Sequence, residues 1–359
     1  MKIILFFLLV MIFLEPNGPY SGMFRLDNLY LVTIPIILIY WFIDIYDLKS
    51  SIVEIVAVFA IFLLSINFII SIFITDNINI SIYDAYLRIF YGFLVGRFLV
   101  NYQKLYNMFI YIIYISIMIS CIVLVLNIVD RKMFVDLYLL YIGTPTIQWR
   151  FGGFFDLPYT LAVWVVFSCF FIIERSNKWF YSYSLQSLLH LQGLLTLSKT
   201  YLLGIFILAL TRNKKLEILL KLLIGCIIIF AIFNITSPIT EFVQSQIGRN
   251  PIDIIVSRYY DGGQTSNIMI IDFYLGSFGL KPDFATDNGY FEVLYYFGII
   301  GFAIFLLYIF LIFLRLKTNL KIFMLFLMIA SFGSSAFAAN KMTLMMWCYL
   351  GCETKRRKN

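Results

Sequence analysis

The chain has 359 residues, of which 62% are hydrophobic and only 13% charged, and its formal net charge is +7. A soluble domain needs far more charge on its surface, so this composition excludes a soluble globular protein. The basic residues occur in short clusters between apolar runs, which is typical of membrane proteins and excludes a nucleic-acid-binding surface.

Successive apolar runs predict an all-α, polytopic transmembrane helix bundle of about 10–12 spans. The whole chain, residues 1–359, is predicted to form one integral membrane domain. The segments within 179–211 and 322–352 are short, and we expect tight helical hairpins there. The predicted segments lie near residues 3–14, 29–43, 52–74, 85–100, 107–129, 158–174, 179–196, 198–211, 216–235, 290–314, 322–338 and 342–352.

The distribution of lysine and arginine predicts a bacterial inner-membrane protein with both termini in the cytoplasm. With this orientation every inward-facing turn carries a basic residue, from Lys49 and Lys104 to the basic tail at Lys355–Lys358. Two polar stretches, residues 130–157 and 236–289, then fall on the periplasmic side. They combine Gly, Pro, Asn and Asp with aromatic residues, so we predict structured loops.

The N-terminal apolar run, Met1–Leu14, has some features of a signal peptide. Glu15 and Pro16 follow it in place of a small-residue cleavage site. We therefore predict that this run is the first span.

Some basic residues face outward in this topology, and the positive-inside rule does not explain them. Such side chains are natural ligands for a lipid-linked phosphate or pyrophosphate, and arginine suits this role because its guanidinium donates two parallel hydrogen bonds. The outward residues include Arg150, Lys199, Arg249, Arg258 and Lys281.

Two of these basic residues have a distinctive local sequence. Arg150 precedes Gly152-Gly153 and the run Asp156-Leu157-Pro158, so the backbone can approach a ligand before the next helix begins. A solvated arginine in a glycine turn is the alternative. Lys199 interrupts an apolar run, which makes it a functional candidate, with snorkelling to the interface as the alternative.

Two carboxylates, Asp287 and Glu292, lie where the second polar stretch meets the next apolar run. They can cap the start of that helix, because anions are favoured at helix N-termini. They can equally act as acid or base groups facing a sugar hydroxyl. Both interpretations remain open from the sequence.

The sequence contains no cluster or motif for a metal, a nucleotide phosphate or a nucleophilic serine, so neither a metal nor a cofactor is expected. His190, the only histidine, lies within an apolar helix and is predicted to be a hydrogen-bonded residue of the bundle. The five cysteines lie in or beside apolar segments, and we expect them to pack as small hydrophobic residues.

The order of these elements over residues 85–340 resembles the O-antigen polymerase (Wzy-type) family of the O-antigen polymerase and ligase superfamily. The resemblance rests on Arg150-Phe151-Gly152-Gly153 with Asp156-Leu157-Pro158, on Leu197-Ser198-Lys199 in a helical hairpin, on Arg258 in the large outer loop, and on Asp287-Asn288-Gly289-Tyr290 followed by Gly298-Ile299-Ile300-Gly301. Here Lys199 stands where the family commonly has arginine, and Asp287 stands where ligase relatives carry histidine. The second difference favours a polymerase over a ligase.

The resemblance implies a GT-C-like membrane fold and a metal-independent glycosyltransferase. Such a polymerase joins oligosaccharide repeat units, carried on undecaprenyl pyrophosphate, into O-antigen or a similar surface polysaccharide at the periplasmic face. Its implied partners are the lipid-linked oligosaccharide, membrane lipids, a chain-length regulator and a flippase. The alternatives are an O-antigen ligase and a flippase or other transporter of lipid-linked sugar, although no internal repeat typical of transporters is visible.

This resemblance gives a mechanistic hypothesis. Arg150 and Arg258 would bind the pyrophosphate and stabilise its charge as the glycosidic bond breaks. Asp287 or Glu292 would orient or deprotonate the acceptor hydroxyl. The predicted substrate-binding residues are the cations Lys199 and Arg249, the carboxylate Asp156, and the tyrosines Tyr259 and Tyr290, whose rings would stack on sugars.

Overall fold

The structure, a computed structural model, describes residues 29–46, 51–74, 80–130, 158–175, 179–196, 198–208, 274, 276–277, 288–334, 336–338 and 342–355. Within these ranges the ordered elements are helices and no strand occurs, so the predicted all-α class is confirmed there. The helices are α1 (Leu29–Tyr46), α2 (Ile52–Ile74), α3 (Ile80–Val100), α4 (Gln103–Val129), α5 (Pro158–Arg175), α6 (Trp179–Leu195), α7 (Lys199–Leu208), α8 (Gly289–Arg315), α9 (Thr318–Ala330), a 3-10 turn (Ala336–Ala338) and α10 (Met342–Lys355).

Three of the described helices are long and apolar enough to cross a membrane, namely Ile52–Phe73, Gln103–Val129 and Gly289–Arg315. Their large apolar side chains are exposed along one face instead of buried. On α2 the exposed residues recur every three or four positions up to Ile72, with Phe73 exposed beside it, at Ile52, Ile55, Phe59, Phe62, Ile66, Ile69, Ile72 and Phe73. A continuous apolar stripe on the outside of a bundle indicates association with a membrane, where lipid covers it.

The predicted segments agree with the helices in most places, and 52–74 coincides with α2. The segment 322–338 was wrong as a single helix, because α9 ends at Ala330. The chain then turns through Ser331–Ser334, where Gly333 N–H donates to the Ala330 carbonyl, before the 3-10 turn begins. The predicted segments 3–14 and 216–235 lie outside the described residues, as does most of the stretches 130–157 and 236–289.

Helix α10 lies at the centre of the bundle, with every residue from Met342 to Thr354 buried. It packs most extensively against α3. Glycines on both helices let the two backbones approach closely, because a Cβ at Gly92 would lie 2.8 Å from the Leu344 carbonyl oxygen. Gly92 and Gly96 form a Gly-x-x-x-Gly pair, which is a common device for helix contacts in membranes.

Buried and partly buried ion pairs join the helices at one end of the bundle. We call this end the ion-pair end and define it by Glu54, Arg97, Arg175, Lys317 and Glu353. Arg97 Nε lies 2.5 Å from Glu54 Oε1 and ties α3 to α2. Arg175 on α5 pairs with Glu353 on α10, whose side chain is 0% exposed. Lys317 Nζ lies 3.7 Å from Glu353 Oε2 and so brings the start of α9 to the same place.

Candidate functional site

The opposite end of the bundle contains the start of α8, where the second polar stretch meets the helix. Asn288 caps this helix, because its Oδ1 accepts hydrogen bonds from the backbone N–H groups of Tyr290 at 3.0 Å and Phe291 at 3.2 Å. The N-cap is therefore Asn288, which lies between Asp287 and Glu292, the two carboxylates predicted as possible caps. Asp287 itself lies outside the described residues.

Glu292, in the first turn of α8, points into the bundle and is only 7% exposed. The hydroxyl of Tyr86, on α3, donates a hydrogen bond to Glu292 Oε2 at 3.2 Å. The same hydroxyl lies 3.0 Å from the carbonyl oxygen of Gly289. Burial of a carboxylate is costly unless polar groups compensate it, so this placement needs the Tyr86 hydroxyl. We call Tyr86 and Glu292 the Tyr86–Glu292 pair.

Two further tyrosines lie within electrostatic range of Tyr86, namely Tyr159 and Tyr296. Tyr159 is the second residue of α5, directly after the first polar stretch. The helix that follows each polar stretch therefore begins near the same buried hydroxyl.

Helix α8 is interrupted at Gly298, where φ is 65° and ψ is −173°. A short piece of the second polar stretch lies against this break. Ser277 N–H donates to the carbonyl oxygen of Tyr295 at 2.7 Å, and a Cβ at Gly298 would lie 2.6 Å from the backbone N of Gly276. Gly298 lies nine residues after the start of α8. At 1.5 Å per residue, the inserted piece with Gly276 and Ser277 therefore contacts α8 about 13 Å from the beginning of that helix. Non-helical backbone at such depth is tolerated only inside protein or beside a cavity.

Replacing Gly298 with alanine is expected to displace this inserted segment. Alanine disfavours this combination of positive φ and extended ψ by about 1–3 kcal/mol, and its methyl would also overlap backbone atoms of Tyr274. We therefore expect Gly298→Ala to lower the thermal stability of the purified protein in detergent. Gly289→Ala is the matched control on the same helix, because its Cβ would meet other atoms only at 3.5 Å. Equal stability of the two variants would contradict the described break.

Asp84 and Arg88 form an ion pair on α3, with 2.6 Å between Arg88 Nη2 and Asp84 Oδ2. The Arg88 side chain is only 5% exposed. By its spacing, Arg88 falls on the helix stripe of Gly92 and Gly96, on the other side of α3 from Tyr86. This pair is not among the site residues predicted from the sequence. A charged residue inside an apolar helix, four positions from an opposite charge, was the signal available.

The structure places Lys199 at the turn between α6 and α7, where it begins α7 and its side chain is exposed. Ser198 supports this turn, because its Oγ accepts a hydrogen bond from Thr200 N–H at 3.2 Å. This placement agrees with the snorkelling interpretation of Lys199. It also puts the lysine at the end of the bundle opposite Arg175, since α6 runs back from that region.

The α6–α7 pair is a helical hairpin, as predicted, and His190 joins its two helices. His190 Nδ1 lies 2.8 Å from the Tyr201 hydroxyl, which itself lies 2.9 Å from the His190 carbonyl oxygen. His190 is therefore a hydrogen-bonded residue of the bundle, which confirms that prediction. The described cysteines, Cys121, Cys169, Cys348 and Cys352, are buried free thiols.

Tyr290 packs within the bundle. Its hydroxyl donates to the carbonyl oxygen of Met328 at 2.9 Å, and its ring lies 4.7 Å from that of Phe332 and 5.6 Å from that of Phe337. These contacts join α8 to the end of α9. The ring is half-buried, and stacking of a sugar on it stays a prediction.

The remaining predicted site residues, Arg150, Asp156, Arg249, Arg258, Tyr259 and Asp287, lie outside the described residues. Among the residues that the structure does describe, no group of three or more His, Cys, Asp or Glu side chains is arranged to hold a metal. The structure therefore describes three of the predicted site residues, namely Glu292, Lys199 and Tyr290. Of these three, Glu292 is the one that is buried.

Comparison of the chain with protein-family models, with curated proteins and with solved structures finds no match.

Proposed function

We propose that this chain is a multi-pass inner-membrane polymerase of the O-antigen (Wzy) type. It would join oligosaccharide repeat units carried on undecaprenyl pyrophosphate, at the periplasmic face of the membrane. The observation that carries this proposal is the buried carboxylate of Glu292 beside the Tyr86 hydroxyl, at the place where the second polar stretch enters the bundle. A carboxylate so placed can serve as a general base for a sugar hydroxyl.

The positions of the basic residues support the proposed orientation. The ion-pair end holds Arg97, Arg175 and Lys317, and its helix ends also carry Lys104 and Lys355. The Tyr86–Glu292 pair lies at the opposite end. If the positive-inside rule applies, the ion-pair end faces the cytoplasm and the Tyr86–Glu292 pair faces the periplasm. The end of α10 would then be cytoplasmic, and a cytoplasmic N-terminus further requires the predicted first span, residues 3–14, which lies outside the described residues.

In the proposed reaction, the bond between the anomeric carbon of the donor glycan and the pyrophosphate oxygen breaks, and the pyrophosphate leaves with the electron pair. The acceptor hydroxyl oxygen bonds to that carbon as its proton passes to Glu292. Tyr86 holds the Glu292 carboxylate in position. Arg150 and Arg258 would bind the leaving pyrophosphate, with Lys199 and Arg249 as further cations near the same face. No metal or cofactor takes part in this scheme.

A gel of surface polysaccharide tests the proposal first. Cells that lack the gene are expected to show a single-repeat band in place of a ladder, and the intact gene should restore the ladder. An unchanged ladder in the deletion strain would overturn the polymerase function. Complete loss of attached glycan would instead indicate a ligase or a flippase.

Glu292→Gln is expected to reduce polymerisation by about 10²–10⁴-fold, because the amide keeps the shape but cannot accept the proton. The rate is measured with purified protein and lipid-linked repeat units. Asp130→Asn is the matched control, since Asp130 is an exposed carboxylate at the end of α4. A Glu292→Gln enzyme with the activity of the control would remove Glu292 from the chemistry.

The interruption of α8 at Gly298 favours a second candidate function, a transporter of lipid-linked sugar. Transporters often place discontinuous helices at their substrate sites. Proteoliposomes separate the two functions. Movement of the lipid-linked unit across the bilayer without chain growth would support the transporter, and chain growth without such movement would support the polymerase.

A further inference from the structure

A lateral groove lies between α2, α3 and α8. It encloses a cavity of about 100 Å³, and only Asn67 and Tyr86 among its lining residues have polar side chains. Phe90, Phe297 and Phe305 form aromatic walls. We call this cavity the α2–α8 groove.

The α2–α8 groove opens at the outer surface of the bundle. Two of its lining residues, Ile66 on α2 and Ile300 on α8, are 38% and 44% exposed. They belong to the apolar stripes that indicate contact with lipid. A groove with this opening and lining is accessible to a hydrocarbon chain from the side, within the bilayer, and offers little to a polar solute.

Tyr86 lines the groove, and its hydroxyl contacts Glu292, which is not itself a lining residue. The groove also runs beside the interruption of α8, since Phe297 and Gly301 lie on either side of Gly298 along the helix. Along α2 it extends from Ala60 to Ile70, about 15 Å at 1.5 Å per residue.

We infer that the α2–α8 groove holds part of the isoprenoid chain of the lipid-linked substrate, which enters sideways from the bilayer. The inference rests on the proposed function for the identity of the lipid. The contact of Tyr86, which lines the groove, with Glu292 is what favours this occupant, because a bound chain would be separated from the buried carboxylate only by the Tyr86 side chain. An ordinary phospholipid that only fills a gap has no need of that connection. The groove takes one part of a long chain and leaves the rest in the membrane.

Photo-crosslinking of the purified full-length protein in nanodiscs tests this inference. The probe is polyprenyl phosphate with a diazirine on its chain, and a phosphatidylglycerol with a diazirine on its acyl chain is run in parallel. We expect the polyprenyl probe to label peptides of α2 and α8, and unlabelled undecaprenyl phosphate to compete. Labelling of these peptides by the phosphatidylglycerol probe, with no competition by undecaprenyl phosphate, would overturn the inference.

Variants that narrow the groove sharpen the test. Leu64→Trp fills its interior and Ile300→Trp narrows its mouth, whereas Phe62→Trp and Leu307→Trp change exposed residues of the same helices that do not line it. Labelling is expected to fall on the order of tenfold in the first two variants, equivalent to about 1.4 kcal/mol of binding free energy, and to stay within about twofold in the controls. Ile300→Trp keeps the test valid if Leu64→Trp fails to fold. Equal labelling of all four variants would contradict the inference.

Binding and polymerisation are read separately in these experiments. If the probe labels α2 and α8, undecaprenyl phosphate competes with it, and the same protein makes no polymer, the result would support the groove and overturn the proposed function. Polymer formation without labelling of α2 and α8 would support the proposed function and overturn the groove.

Discussion

Alanine in place of Gly96 is expected to lower the free energy of unfolding by about 3 kcal/mol, at the upper end of what overpacking a well-packed core costs. The added methyl would overlap the carbonyl oxygen of Cys348 and would lie 2.9 Å from the backbone N of Cys352. These are backbone atoms of α10, so no rotation of a side chain can relieve the overlap. The two helices must separate.

Such a separation would spread through the bundle because α10 is buried along its length. Its own Gly351 makes the reciprocal contact, where a Cβ would overlap the carbonyl oxygen of Phe93. Cys352 Sγ lies 3.2 Å from the Gly96 carbonyl oxygen, and Trp347 Nε1 donates to the Phe337 carbonyl at 3.0 Å. Moving α10 away from α3 would disturb the Gly351 and Cys352 contacts directly, and would also strain the contact with the 3-10 turn if α10 moves alone.

The measurement is the fraction of monodisperse protein that survives heating in detergent. Gly333→Ala is the control, because a Cβ at Gly333 would meet nothing within 4 Å. The sign of the effect is informative, since helix propensity alone predicts that Gly→Ala inside α3 stabilises by about 1 kcal/mol. If Gly96→Ala is as stable as the wild type or more so, α3 and α10 do not approach as described.

Much of the fold was predictable because long apolar runs between polar residues define membrane helices. Residues 52–74 form such a run and coincide with α2. Helix α3 begins at Ile80, earlier than the predicted residue 85, because Asp84 interrupts the apolar pattern without ending the helix. The break at Gly298 was not predicted, because no polar residue in the sequence marks it. The surrounding sequence is apolar throughout, and only the inserted segment at Gly276 and Ser277 explains the local conformation.

The candidate site was predictable only in part. Glu292 could be selected because a carboxylate at the edge of an apolar run is unusual. Its partner could not, since Tyr86 is one of many tyrosines in this chain and lies 206 residues earlier. The close contact of α3 with α10 did have a signal in the sequence, namely Gly92 and Gly96 at Gly-x-x-x-Gly spacing, which was not part of the predictions. Spacing shows that such a helix face can pack closely, but it does not identify the partner helix.

Glu353→Gln is expected to lower the free energy of unfolding by about 3–5 kcal/mol, the usual cost of removing one partner of a buried ion pair. Glu353 is fully buried and accepts a hydrogen bond from the Tyr106 hydroxyl at 3.2 Å, in addition to its ion pair with Arg175. The neutral amide would leave Arg175, whose side chain is only 16% exposed, without its carboxylate. Glu174 does not replace it in the described contacts, because it pairs with Lys317 at 2.9 Å.

A double-mutant cycle separates the ion pair from a general loss of packing. Adding Arg175→Gln to Glu353→Gln removes the orphaned charge, so the double variant should be more stable than the sum of the two single losses predicts, by about 0.5–3 kcal/mol. Asp130→Asn serves as the exposed-carboxylate control and should change stability by no more than about 1 kcal/mol. Free energies of unfolding, from reversible denaturation in detergent, are compared for the wild type, the two single variants, the double variant and Asp130→Asn. Strict additivity in the cycle would mean that Arg175 and Glu353 do not interact.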